Sequence, residues 1–207
     1  MRRYKGISTI WTKLTLLCFF LVAPVVFLGA HRPILTEKQP ISMESSLLIE
    51  DPTVSQVVYR EVIPKNSGQT WLRFEGVVGQ EITVGSGVPV ILRLLGYSQY
   101  LAVVGFGLPE KPSGLSLPKG LGAVVYPPSE SPRYFHEPFT GTNSWILVDD
   151  IFTVPANGTY YLVLYSPTVV EKGKIWITIG KKEQFGLEDL FVFSEWKRKV
   201  RAFHEVL

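Results

Sequence analysis

Few residues in this 207-residue chain combine the types and spacing that chemistry needs. The histidines are His31, His136 and His204, and the one cysteine is Cys18. Cys18 sits inside an apolar N-terminal run, so the rest of the chain has no thiol. That excludes cysteine nucleophiles, Cys-based zinc sites, iron–sulfur clusters and a disulfide framework. G-x-S-x-G, H-E-x-x-H, the P-loop and a G-x-G-x-x-G after a strand are all absent. His136 alone falls in the body of the chain, which leaves little room for a Ser-His-Asp site. Asp149-Asp150 is an adjacent acidic pair, but neighbours on a strand point to opposite faces and form no dyad. One of them with Glu137 would offer oxygen ligands to calcium; the plainer reading is a solvated strand end.

Copper is the sharper metal reading. A chain cut after Ala30 starts at His31, whose amine and imidazole are nitrogen ligands of the kind copper(II) favours. His136 would add a third nitrogen. Such a site resembles the histidine brace of secreted copper sandwiches, copper-dependent polysaccharide oxygenases and periplasmic copper carriers among them. The large Leu28 at position −3 argues against that cut.

The elements that must position these residues begin with a targeting segment. Leu14–Ala30 is a 17-residue run without charge, preceded by Arg2, Arg3, Lys5 and Lys13. It reads as a signal-anchor with the basic side in the cytoplasm, or as a signal peptide cleaved at Ala30. Either way the remainder lies outside the cytoplasm. Charge follows the same division. Residues 1–33 hold five basic and no acidic side chains; 34–183 hold twelve basic and fourteen acidic; 184–207 hold four of each. The basic balance therefore belongs to the N-terminal flank, and nucleic acid is not an expected partner.

Residues 34–47 read as a linker, and 48–183 as one antiparallel β-sandwich, jelly-roll-like, of about eight strands. The strands are expected near 55–63, 70–78, 88–96, 100–108, 121–126, 145–154, 159–166 and 174–180. Pro155-Ala156-Asn157-Gly158 predicts a tight hairpin turn; that turn also accounts for the Asn157-Gly158-Thr159 glycosylation pattern. Residues 109–144 hold seven of the fifteen prolines and read as a long excursion, either a binding loop or a cover over the sandwich. Trp71, Tyr97, Tyr100 and Trp145 would serve as sugar-stacking faces if exposed, though such aromatics are more often core.

Residues 184–207 predict an amphipathic helix capped by Ser194. Phe193, Trp196, Val200, Phe203 and Leu207 form its apolar stripe. Packing on protein is favoured over lying in the membrane interface, because Glu195 and Glu205 dilute the basic face.

The order of several pieces carries a resemblance. His31-Arg32-Pro33 follows the leader, and Glu50-Asp51-Pro52-Thr53-Val54-Ser55-Gln56-Val57-Val58-Tyr59 opens the body. His136-Glu137-Pro138-Phe139 precedes Trp145. Pro155-Ala156-Asn157-Gly158-Thr159-Tyr160-Tyr161 leads to Gly173-Lys174, then Gly180-Lys181-Lys182-Glu183 and Phe185. Over about residues 31–190 the chain resembles a widespread group of exported or membrane-anchored bacterial and archaeal β-sandwich proteins. Their domain is similar to the pre-peptidase C-terminal type. The resemblance implies an accessory domain and transfers no catalytic residue.

The expectation is a non-catalytic, membrane-tethered extracytoplasmic module with no cofactor. Its membrane contact is residues 14–30. Its interaction surfaces are Trp196, Val200, Phe203 and Leu207 on the C-terminal helix, or the 109–144 loop, toward a membrane-protein partner. The alternatives are a secreted copper or calcium protein using His31 and His136, or a carbohydrate-binding module.

Overall fold

The structure is a computed structural model describing residues 31–34, 39–63, 68–109, 112–168, 171–184, 186 and 189–206. The apolar segment 14–30 and Leu207 lie outside the described residues. Among the described residues there are eleven strands and one α-helix: β1 (Arg32–Ile34), β2 (Leu47–Leu48), β3 (Gln56–Val62), β4 (Thr70–Gly76), β5 (Glu81–Pro89), β6 (Tyr100–Phe106), β7 (Leu121–Tyr126), β8 (Arg133–Glu137), β9 (Thr142–Thr153), β10 (Gly158–Tyr165), β11 (Gly173–Ile179) and α1 (Asp189–Phe203). They form a six-stranded sheet, β1-β3-β11-β5-β9-β8, and a five-stranded sheet, β2-β4-β10-β6-β7. The molecule is mainly β, as expected, but both sheets are mixed rather than antiparallel. β1 runs parallel to β3, and β2 parallel to β4.

Alternation along the strands explains the two layers. On β11, Ile175, Ile177 and Ile179 are fully buried and point inward; Trp176 and Thr178 point outward. On β10, Tyr160, Leu162 and Leu164 join the central core. Val163 and Tyr165 belong to a second cluster on the far side of the five-stranded sheet. Both faces of each sheet are therefore partly covered.

Three local expectations change. Residues 154–158 make no hairpin, because β9 lies in the six-stranded sheet and β10 in the five-stranded one. The segment crosses between layers, and Asn157 Oδ1 accepts a hydrogen bond from the Val78 amide at 2.8 Å. The strand expected at 88–96 is shifted: β5 ends at Pro89, and Leu92–Leu94 form a 3-10 turn. The 34–47 segment, where described, packs on the sandwich: the Pro40 carbonyl accepts from the Trp71 amide, and Arg60 donates to Gln39 Oε1 at 2.8 Å. Met43 rests on the second cluster.

The 109–144 excursion divides into a cover and two strands. Leu115 is buried against Ala102, Val104 and Ala123 on the outer face of the five-stranded sheet. β7 and β8 follow, and β8 pairs with β9 as a hairpin closed by Gly141 at φ 65°.

Helix α1 begins at Asp189, five residues before Ser194, which lies in its interior. Its ends are held at opposite ends of the sheet. Arg32 pairs with Asp189 at 3.0 Å near the N-terminus, where an acid suits the helix dipole. At the other end Lys174 Nζ donates to the Phe203 carbonyl at 2.9 Å and pairs with Glu205 at 2.9 Å. Arg93 forks onto the same Glu205 carboxylate. These bonds pull the Glu205 carboxyl down to about 2.

Candidate functional site

Strand β5 carries no large side chain on the outer face of the six-stranded sheet, and the sequence shows why. On β5, Ile82, Val84 and Val88 point into the core, so Thr83, Gly85 and Gly87 point outward. Two successive outward glycines leave a trough along the strand. The neighbouring strand lies across it. A Cβ on Gly87 would come within 2.2 Å of the Trp176 ring, and one on Gly85 within 2.6 Å of the Thr178 hydroxyl. Pro33, Val57, Thr178, Gly85 and Asp149 form one cross-strand row, and Tyr59, Trp176, Gly87, Ile146 and Arg133 the next.

Helix α1 roofs this floor without filling it. A cavity of about 190 Å³ remains between them. Phe193, Trp196 and Val200 face it from the helix; Phe135, Glu137 and Phe139 close one side, and His31 another. Phe193 meets Phe139 edge-on, with centroids 3.8 Å apart. Arg32 lies over the Trp196 ring at 5.8 Å, and Phe203 packs on Tyr59 at 4.9 Å. Phe193, Trp196, Val200 and Phe203 of the predicted stripe thus face the sheet, and Leu207 lies outside the described residues.

One polar chain pins the roof to the floor. The Trp176 indole N–H donates to Ser144 Oγ at 3.1 Å. Ser144 Oγ lies 3.1 Å from His204 Nε2, and His204 Nδ1 lies 2.8 Å from the Val200 carbonyl. A carbonyl only accepts, so Nδ1 carries the proton and Nε2 accepts from the serine hydroxyl. Burial lowers the His204 pKa; the bond to the Val200 carbonyl opposes this and the Lys174 charge adds to it, and the net shift favours the neutral ring. Ser144 and His204 are both buried. The pair has the bond of a serine nucleophile and its base, but the indole donates to the same oxygen, and every member of the chain is used in joining helix to sheet.

Burial also shifts His31 and Glu137 on the wall toward their neutral forms. Burial lowers the His31 pKa, opposed by Asp149 and Glu183; its Nδ1 meets Ser55 Oγ at 2.5 Å. Burial raises the Glu137 pKa, opposed by the Phe139 amide and by His136. Charge is kept to the rim, where Arg133 pairs with Asp149 at 3.0 Å.

The structure does not bring the expected metal ligands together. His31 lies on the cavity wall. His136 lies between Phe135 and Glu137 on β8, so it projects from the opposite face, where its Nδ1 meets Asn143 Oδ1 at 2.7 Å. No group of three His, Cys, Asp or Glu fit for a metal occurs among the described residues. Asp149 is engaged by Arg133, and Asp150 Oδ1 accepts from the Ile151 amide. Trp71 and Tyr97 are buried and Trp145 packs against the core, so these three offer no open stacking face.

Sequence reasoning missed Gly85, Gly87, Ser144, Trp176 and His204 as a unit. The signal for the glycines was present: Val84, Gly85, Ser86, Gly87 and Val88 keep period two, which marks strand rather than turn.

No family model and no curated protein matches the sequence. Among solved structures the chain is similar to the pre-peptidase C-terminal domain of a collagenase from Bacillus anthracis. The identity is 10%, with 65% of this chain and 93% of that chain covered, at a TM-score of 0.37. It is also similar to the secreted protein MopE of Methylococcus capsulatus, whose copper binding is facilitated by an oxidised tryptophan. There the identity is 13%, with 56% and 70% covered, at a TM-score of 0.27.

Proposed function

We propose that this chain is a non-catalytic accessory module held at the outer face of a cytoplasmic membrane, working by binding rather than turnover. The observation that carries the binding half is the cavity under helix α1, with a pinned aromatic floor and a few polar side chains on its wall. Concave, mostly apolar sites with a few placed polar groups are where small ligands bind. The tether rests on the charge-free run 14–30 behind its basic flank. β1 begins at Arg32, two residues after that run, so a retained anchor would hold the sandwich close to the bilayer.

A labelling experiment tests the location. Lys119→Cys is placed in a Cys18→Ser background, and intact cells are treated with a membrane-impermeant maleimide. Labelling of a carbonate-resistant membrane protein is expected. Labelling only after permeabilisation would overturn the extracytoplasmic placement, and extraction by carbonate would overturn the anchor.

A further inference from the structure

We propose that the cavity under helix α1 takes a neutral, single-ring aromatic molecule bearing one hydrogen-bonding group, of the phenol type. This rests on the binding half of the reading above and not on the tether.

Size sets the first limit. An engineered apolar cavity of about 150 Å³ holds one benzene ring. The space here, about 190 Å³, suits one ring and a substituent. The lining sets the second. Tyr59, Phe135, Phe139, Trp176, Phe193 and Trp196 supply six rings around that volume, and ring edges and faces favour another ring over a flexible chain. The floor is preorganised: Trp176 lies where a side chain on Gly87 would be, and Ser144 fixes its indole N–H. A site already ordered loses less on binding.

Polarity sets the third limit. Ser144 and His204 spend their bonds on each other and on Trp176 and Val200. His31 Nε2 and the hydroxyls of Thr83 and Thr178 have no hydrogen-bond partner among the described residues, and all three residues line the cavity. Those groups, with the Glu137 carboxyl that accepts from the Phe139 amide on the same wall, satisfy one or two hydroxyls. They are too few for a sugar, most of whose hydroxyls would be left unpaired. A carboxylate would lose its hydration with no cation inside the cavity to replace it. Arg133 and Lys197 are on the lining but exposed, and Arg133 is already paired with Asp149.

The test uses the full chain in lipid nanodiscs, with 4-fluorophenol as the probe and ¹⁹F NMR as the readout. Protein-free nanodiscs give the partitioning baseline. Saturable binding above that baseline is expected, weakened at least tenfold by Val57→Phe, which puts a ring into the floor. Ile146→Phe does the same from a different strand, should the first variant unfold. Leu115→Ala, in the cover over the five-stranded sheet, should leave binding within twofold. 4-Fluorobenzoate should bind at least tenfold more weakly than the phenol. Absence of saturable binding would overturn the proposal, as would binding that both filling variants leave intact. Equal binding of the benzoate would overturn the claim of neutrality. None of these results bears on the maleimide labelling, so the ligand and the tether fail separately.

Discussion

The outer faces of both sheets are covered, but by different means. On the five-stranded sheet Ala102 and Ala123 make a shallow dent beside Val104, and Leu115 fills it. Leu117 and Met43 close the margins. On the six-stranded sheet Trp176 and Thr178 lie over Gly85 and Gly87, and helix α1 spans this floor with a cavity of about 190 Å³ left between them. A buried side chain from a loop covers one side; on the other, a helix held at both ends bridges a gap. A loop can follow a surface residue by residue. A helix presents a side chain to one face only every three or four positions, so what lies between its contacts stays open.

The comparison can be broken by mutation, and the largest effect falls on the trough. Gly87→Val should destabilise the domain by about 3 kcal/mol, because its side chain meets the Trp176 ring and the Trp145 carbonyl. In thermal unfolding that is a fall of roughly 6–12 °C for a domain of this size. An unchanged midpoint would mean that Trp176 does not lie across β5. Next come the covers themselves. Leu115→Ala should cost about 2–3 kcal/mol in denaturant titrations, and Val200→Ala only about 1 kcal/mol, because Val200 already borders open space. Equal losses would show that the two covers pack alike.

Adding volume should separate the two sides in the opposite sense. Ala102→Leu overpacks the filled dent and should cost about 2 kcal/mol. Val200→Leu grows into the cavity and should change stability by less than about 0.5 kcal/mol. Equal losses in thermal unfolding of the two variants would mean that Val200 meets a filled surface as Ala102 does.

The helix side should also be the pH-sensitive one. His31 and His204 have pKa values lowered from 6.5, so the folded state binds fewer protons than the unfolded state below that pH. Their contribution is complete above about 6.5 and is lost as pH falls toward their folded values. Glu137 acts oppositely: its raised pKa favours the fold at low pH, and that contribution is lost as pH rises through its folded value. The two histidines should outweigh it between pH 6.5 and 5. The thermal midpoint should drop over that interval, with a shallower slope in His204→Gln. An unaltered slope in the variant would remove His204 from the account. The smallest effect belongs to the rim. Arg133 and Asp149 are each 61% exposed, so Arg133→Gln should shift stability by no more than about 0.5 kcal/mol, less in high salt.

Strand alternation in 56–62, 70–76, 100–106, 121–126, 158–165 and 173–179 was legible from the sequence because each strand's periodicity is local. The amphipathic stripe of α1 was legible for the same reason. Asn157-Gly158 misled, since its turn propensity is the same whether the chain folds back within one sheet or crosses to the other. The layer that receives β10 is decided by β4 and β6, whose residues are more than fifty positions away. His204 read as a helix residue of no special kind. It became part of a buried hydrogen-bond chain once α1 was laid over β9 and β11, sixty residues from Ser144.

The sequence by itself therefore determined the β-rich composition, the faces of most strands, the C-terminal helix and the apolar run 14–30. These depend on spacings of two to four residues and on runs that one segment contains entirely. The tertiary structure alone decided the order of strands in each sheet, the crossing after β9, the plug at Leu115 and the cavity roofed by α1. Each of those depends on which distant surfaces meet, and a void exists only between two surfaces that fail to fill each other.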